Sequence, residues 1–142
     1  MKKLLIILVV ITGISACQSG DKKADAGAND NALKDTSNYT TIQWLDSAVS
    51  NLGKVKEGDV VNVAFRFKNT GNKNLVITDV SVGCGCTVPE KPKEPFVPGQ
   101  EGVIKAKFNS EGRPGSNTKE IYVTANTNPN TQMLTFKVDV TN

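Results

Sequence analysis

Four segments of this chain alternate apolar and polar side chains with a period of two, and that pattern leaves few folds open. Val61, Val63, Phe65 and Phe67 share one parity, with Asn62, Arg66 and Lys68 on the other. Ile104, Ala106 and Phe108 alternate with Lys105 and Lys107, and Ile121, Val123 and Ala125 with Glu120, Tyr122 and Thr124. Leu134, Phe136, Val138 and Val140 alternate with Thr135, Lys137 and Asp139. Side chains of a strand point to opposite faces in turn, so each segment buries one face and wets the other. That is the habit of antiparallel sheets, and each apolar face needs a second layer to cover it. Further strands are expected at residues 41–45 and 75–82. The latter carries apolar residues on both parities, which makes it a central strand or puts a bulge in it.

No segment of this part of the chain sustains a helical period, and turn signals separate the strands. They are Gly53 with Gly58, Asn69-Thr70-Gly71-Asn72, Pro98-Gly99, Gly112-Arg113-Pro114-Gly115 and residues 126–130. The pattern predicts an all-β fold over residues 39–142, an immunoglobulin-like antiparallel β-sandwich of about seven strands. Trp44, the sole tryptophan, is expected to pack in the core or at an edge.

Ahead of this domain lies a delivery signal. Lys2 and Lys3 precede an unbroken apolar run from Leu4 to Ile11, and smaller residues follow up to Ala16. The run is shorter than the ~20 apolar residues of a membrane-spanning helix and has the layout of a secretory signal peptide over residues 1–16. Ile14-Ser15-Ala16-Cys17 resembles the lipobox of bacterial lipoproteins, which implies cleavage before Cys17, a diacylglyceryl group on its thiol and an acyl (palmitate-type) chain on its new amino terminus. Two or more such chains anchor a protein stably to a membrane. From Gln18 to Asn38 the only large aliphatic residue is Leu33, too little apolar surface to offset ordering entropy. Residues 17–38 therefore read as a lipidated cysteine and a disordered tether with a root-mean-square span of about 25 Å.

Charge and composition exclude several functions. The chain has no histidine, which removes a His-based catalytic triad and any His-containing zinc site. Without Lys2 and Lys3, its 17 basic residues fall to 15 against 14 acidic ones, and no dense basic cluster stands out. Nucleic acid is therefore not an expected partner. Glu90, Glu94, Glu101 and Glu111 read as solvated loop charges beside lysines. Ser110 and Ser116 have no histidine to activate them. Arg113 is expected to satisfy carbonyls across its own turn. No cofactor, catalytic residue or small-molecule substrate is expected.

With Cys17 lipidated, Cys84 and Cys86 remain as a pair in an oxidising compartment. In a regular strand, residues two apart lie about 6.6–7 Å from each other, at the upper end of disulfide Cα spacing. A bridge therefore needs a bend, which Gly83 and Gly85 permit. Four readings stay open: a structural pair, bridged or buried as thiols; a redox-active pair; a soft-metal site holding Cu(I) on two thiolates; and cross-linking between chains.

Several motifs occur in an order shared with a known family. They are Asn69-Thr70-Gly71 after Phe65-Arg66-Phe67, then Leu75-Val76-Ile77, Cys84-Gly85-Cys86-Thr87, Pro98-Gly99, Phe108-Asn109-Ser110 and Gly112-Arg113-Pro114-Gly115. Residues 53–140 resemble a family of bacterial secreted domains of unknown function, often lipid-anchored. That family is similar to the immunoglobulin-like domains of major sperm protein and of the ASH and hydin proteins. Leu52 departs from the family, which tends to carry an aromatic residue before the first glycine. The resemblance implies the sandwich fold and supplies no catalytic residues. The combined expectation is a non-enzymatic lipoprotein of the cell envelope, facing the periplasm or held at the outer membrane. It is anchored through Cys17, and its domain binds an envelope protein as an adaptor. The alternative is a thiol redox or copper-handling protein working through Cys84 and Cys86.

Overall fold

The four alternating segments become the inner strands of a two-layer sandwich. The structure is a computed structural model that describes residues 36–142. The signal peptide, Cys17 and the tether up to residue 35 lie outside the described residues. After a 3-10 turn at Thr36–Asn38 come eight strands. They are β1 (Ile42–Trp44), β2 (Val49–Lys56), β3 (Val60–Asn69), β4 (Ile77–Val82), β5 (Thr87–Glu90), β6 (Glu101–Asn109), β7 (Gly115–Ala125) and β8 (Thr131–Thr141). One sheet has the order β1-β3-β6-β5 and the other β2-β8-β7-β4. Thr36–Asn38, expected as the end of the tether, is already tied to the domain, since Asn126 Nδ2 donates to the Asn38 carbonyl at 2.7 Å.

The predicted fold class holds, with eight strands instead of about seven. The two that the sequence does not reveal, β2 and β5, are edge strands. Val55 and Val88 are among the few apolar residues in them, because only one neighbour and part of one face need covering. One ladder also departs from the antiparallel rule. The chain leaves β1, crosses to the other sheet at residues 45–48 and pairs with β8 in parallel, Val49 opposite Thr135 and Lys56 opposite Thr141. Gly53, expected as a turn, lies inside β2 instead. At φ 72° it takes up the register shift between Asn51 and Lys54, a conformation that glycine adopts at little cost. The strand expected at 75–82 begins at Ile77. Its mixed parity reflects a shift between Ile77 and Asp79, and it is an edge strand, not a central one.

The inward parities meet in one core. Phe65, Phe67, Phe108 and Phe136 are fully buried, together with Leu75, Ile104, Ile121 and Leu134. Phe108 and Phe136 join the two sheets edge to face at 5.7 Å between ring centres. Phe67 stands between Trp44 at 5.7 Å and Phe96 at 4.9 Å. Each such pair adds about 0.5–1.5 kcal/mol beyond the area it buries. Trp44 is half-buried, as an edge-packing residue should be, and its Nε1 donates to Gln132 Oε1 on the opposite sheet at 2.6 Å.

The first crossing between sheets is held by a charge pair. Arg66 Nη2 donates to Asp46 Oδ1 at 2.7 Å, and the Arg66 backbone N–H donates to Asp46 Oδ2 at 2.7 Å. The Arg66 side-chain hydrogen bond, then the backbone one, hold the Asp46 carboxyl below its ordinary range. A carboxylate whose pKa is depressed on folding contributes stability above its unfolded pKa, about 3.9, and loses it as pH falls through the lower folded value. We therefore expect Asp46→Asn to lower the urea midpoint at pH 7, and the gap from the native chain to be smaller at pH 3. An equal gap at both pH values would show that the charge contributes nothing.

Candidate functional site

The second crossing between sheets carries the cysteine pair. β4 is an edge of one sheet and β5 an edge of the other, and residues 83–86 turn the corner between them. Cys84 and Cys86 are joined by a disulfide with their Cα atoms 5.4 Å apart. That is shorter than an extended strand allows, as the turn requires. Of the four readings left open by the sequence, the structure describes the bonded pair. Among the described residues no group of three or more His, Cys, Asp or Glu side chains is placed to hold a metal ion.

The two sulfurs differ in environment. Cys86 is only 6% exposed and belongs to the core, whereas Cys84 is half-buried at the surface. Thr87, 3% exposed, directs its hydroxyl at both, 3.8 Å from Cys84 Sγ and 3.9 Å from Cys86 Sγ. A disulfide has no S–H, so the hydroxyl is the donor. These two sulfurs are its only hydrogen-bond partners among the described residues. The corner is fixed on either side by backbone hydrogen bonds, Asn109 N–H to Cys86 O at 2.9 Å and Thr87 N–H to Cys84 O at 3.4 Å. Beside Cys84 a surface hollow of about 200 Å³ is lined by Gly83, Thr118, Lys119 and Glu120. Glu120 accepts a hydrogen bond from the Tyr122 hydroxyl, which raises the Tyr122 pKa above its ordinary value. Lys119 has no ion pair among the described residues.

The other polar candidates are occupied in holding loops. Ser110 is fully buried, and its Oγ lies 3.0 Å from Lys56 O and 2.9 Å from Asp59 O. Glu90 lies 3.7 Å from Lys107 Nζ on an exposed face. Among the described residues the Arg113 side chain has no carbonyl partner, contrary to expectation, and its Nε is buried without one. The turn is held instead by the Arg113 N–H, which donates to Ser110 O, and by the Asn117 side chain, whose Nδ2 donates to Arg113 O.

Sequence reasoning missed two buried asparagines. Asn69, read as part of a turn, donates from Nδ2 to Lys73 O and Phe96 O, both at 2.8 Å. Its Oδ1 accepts from Thr40 Oγ1 at 2.9 Å and from Gly71 N–H at 3.1 Å. Asn126 donates to Asn38 O and Asn74 O and accepts from Val76 N–H. The Asn-Thr-Gly order carried the signal, because residue 71 must be glycine for Thr40 to approach: a Cβ there would collide with the Thr40 hydroxyl and the Thr41 amide.

The edges of the sandwich are unequal. Asn109 N–H bonds Cys86 O, so hydrogen-bonded positions on β5 fall at 86, 88 and 90, and Pro89 faces outward where it has no N–H to offer. Lys91 Nζ donates to the carbonyl of Thr78 at 3.0 Å and so caps the bulge of β4. On the opposite side, Thr70 N–H bonds Thr41 O and Leu45 N–H bonds Arg66 O. The backbone N–H and C=O groups of Ile42 and Trp44 therefore point away from β3, at an edge that no other described strand pairs. Val49 and Met133, 51% and 52% exposed, lie on the outer face of the other sheet, on β2 and β8.

Comparison with known proteins agrees with this architecture. A protein of unknown function from Porphyromonas gingivalis W83 superposes with a TM-score of 0.62 at 17% identity, over 78% of this chain and 51% of that one. The chain thus spans about half the length of that protein. The ASH / PapD-like domain of human CEP192 (PapD-like domain 7) gives 0.60 at 9% identity, over 72% of this chain and 87% of that one. The VesB protease of Vibrio cholerae gives 0.52 at 12% identity, over 79% of this chain and 34% of that one. At these identities the likeness is one of fold, here an immunoglobulin-like sandwich. No curated protein matches the chain. Residues 42–140 match the family model described as a protein of unknown function, DUF1573, and the chain belongs to that family.

Proposed function

We propose that this chain is a lipid-anchored, non-catalytic binding module of the cell envelope. It is held to a membrane through Cys17 and takes up an extended segment of an envelope protein along β1. The observation that carries the reading is the inequality of the edges. β4 and β5 are blunted by a bulge, a proline and a lysine, devices that prevent strand pairing. β1 keeps its outward backbone groups, at Ile42 and Trp44, which no described strand pairs. Main-chain hydrogen bonds then supply affinity, and the side-chain contacts supply selectivity. The 12 basic and 10 acidic residues that the sequence places in residues 39–142 nearly balance, so recognition does not depend on long-range charge.

The test uses the full chain in cells. A photo-crosslinking residue at Gln43 is expected to capture a discrete partner, and one at Val88 is not. Cys17→Ala should move the chain from the membrane to the soluble fraction. Equal capture from both edges would sink the strand-addition reading, and a Cys17→Ala chain that stays membrane-bound would sink the anchor.

A further inference from the structure

We propose that the Cys84–Cys86 corner is a thiol–disulfide exchange site, entered at Cys84, that accepts two electrons from a dithiol. This goes beyond the binding reading and does not depend on it. Three observations converge. Cys84 is half-buried at the surface while Cys86 is in the core, so only one sulfur is open to attack. The hollow that gives access to Cys84 carries Lys119, whose ammonium has no ion pair among the described residues and favours an approaching thiolate, beside Glu120, whose carboxylate is engaged by the Tyr122 hydroxyl. The buried Thr87 hydroxyl, with no oxygen partner, is already placed to donate to the sulfur that leaves. A donor that meets only weak sulfur acceptors in the oxidised form gains a charged acceptor when a thiolate appears beside it.

The chemistry balances as follows. A thiolate of the incoming dithiol bonds to Cys84 Sγ. The Cys84–Cys86 bond breaks, and its electron pair leaves on Cys86 Sγ, to which Thr87 donates. The second thiol of the dithiol, deprotonated by solvent, attacks its own partner sulfur in the mixed disulfide, and Cys84 departs as thiolate. Both cysteine thiolates then take up protons from water. The dithiol is oxidised to its disulfide, and the corner is reduced by two electrons and two protons. The fold tolerates the change because the disulfide closes so short a loop, while the flanking backbone hydrogen bonds of Thr87 and Asn109 do not depend on it.

The experiment uses the full chain, purified in detergent. It is treated with reduced glutathione, quenched with iodoacetamide and read by peptide mass spectrometry, which separates residues 84 and 86 from Cys17. Glutathione is expected on Cys84 and the carbamidomethyl group on Cys86. Thr87→Val should slow reduction by dithiothreitol about tenfold with an unchanged far-ultraviolet circular dichroism spectrum, and Thr87→Ser should restore the rate. Glutathione on Cys86, native reduction rates in Thr87→Val, or reduction only in denaturant would each overturn the proposal.

Discussion

Asn69→Ala is expected to destabilise the domain by about 3–5 kcal/mol, since it removes four hydrogen bonds that each contribute about 1 kcal/mol and leaves buried groups short of partners. Asn69 is fully buried and joins three segments that are distant in sequence: Thr40 before β1, the turn at Gly71 and Lys73, and Phe96 before β6. The Gly71 N–H loses the acceptor provided by Asn69 Oδ1, while Phe96 O keeps only the hydrogen bond from Leu75 N–H. A loss of that size is a large part of the 5–15 kcal/mol that holds an ordinary domain together. Urea unfolding of the native and Asn69→Ala chains measures it directly. Asn69→Asp gives a second check with a definite sign. It keeps the acceptor but sets a carboxylate against two carbonyl oxygens, which raises its folded pKa. The Asp variant should therefore regain stability as pH falls, and the Ala variant should not. A cost below about 1 kcal/mol for Asn69→Ala would mean that water replaces the side chain and that the three segments do not depend on it.

Phe136→Ala should be comparably severe, about 3–5 kcal/mol, because it opens a cavity between the sheets and removes the edge-to-face contact with Phe108. Phe67→Ala should fall in the same range, since that ring supports both Trp44 and Phe96. Reducing the disulfide should cost far less, at most about 1–2 kcal/mol, because cross-linking residues two apart removes little freedom from the unfolded chain. Thermal melts of the three forms rank these effects. A domain that unfolds on reduction yet tolerates Phe136→Ala would require the core to lie elsewhere.

How far the sequence discloses this fold depends on which strands are flanked on both sides. β3, β6, β7 and β8 each have two neighbours and one covered face, so their alternation is strict and the sequence shows it. The outer strands are shaped by other demands. β2 bends at Gly53, β4 bulges at Thr78 to meet Thr124, and β5 has four residues, one of them proline. Each device that protects an edge from unwanted pairing also breaks the period by which a strand is recognised. The site behaves in the same way. The two glycines and two cysteines identify the corner, and the bend required for a bridge follows from strand geometry. The inequality of the sulfurs and the role of Thr87 come from which sheet covers which residue, a fact of tertiary packing alone. The asparagines were hidden because their residue type favours turns, and a turn is what their neighbours form. Their burial depends also on partners 27 to 88 residues away.

The parallel pairing of β2 with β8 has a mechanical meaning. β2 enters its ladder at Val49 opposite Thr135, and β8 leaves the same ladder at Thr141 opposite Lys56. Once β1 and the segment before it have parted from the domain, tension between the two ends of the described chain pulls these strands past one another along their length. The rungs between them are then strained together and must rupture as a group, instead of opening one after another like a zipper. Gly53 interrupts the ladder, so it would yield as two short blocks, each bearing the load in shear.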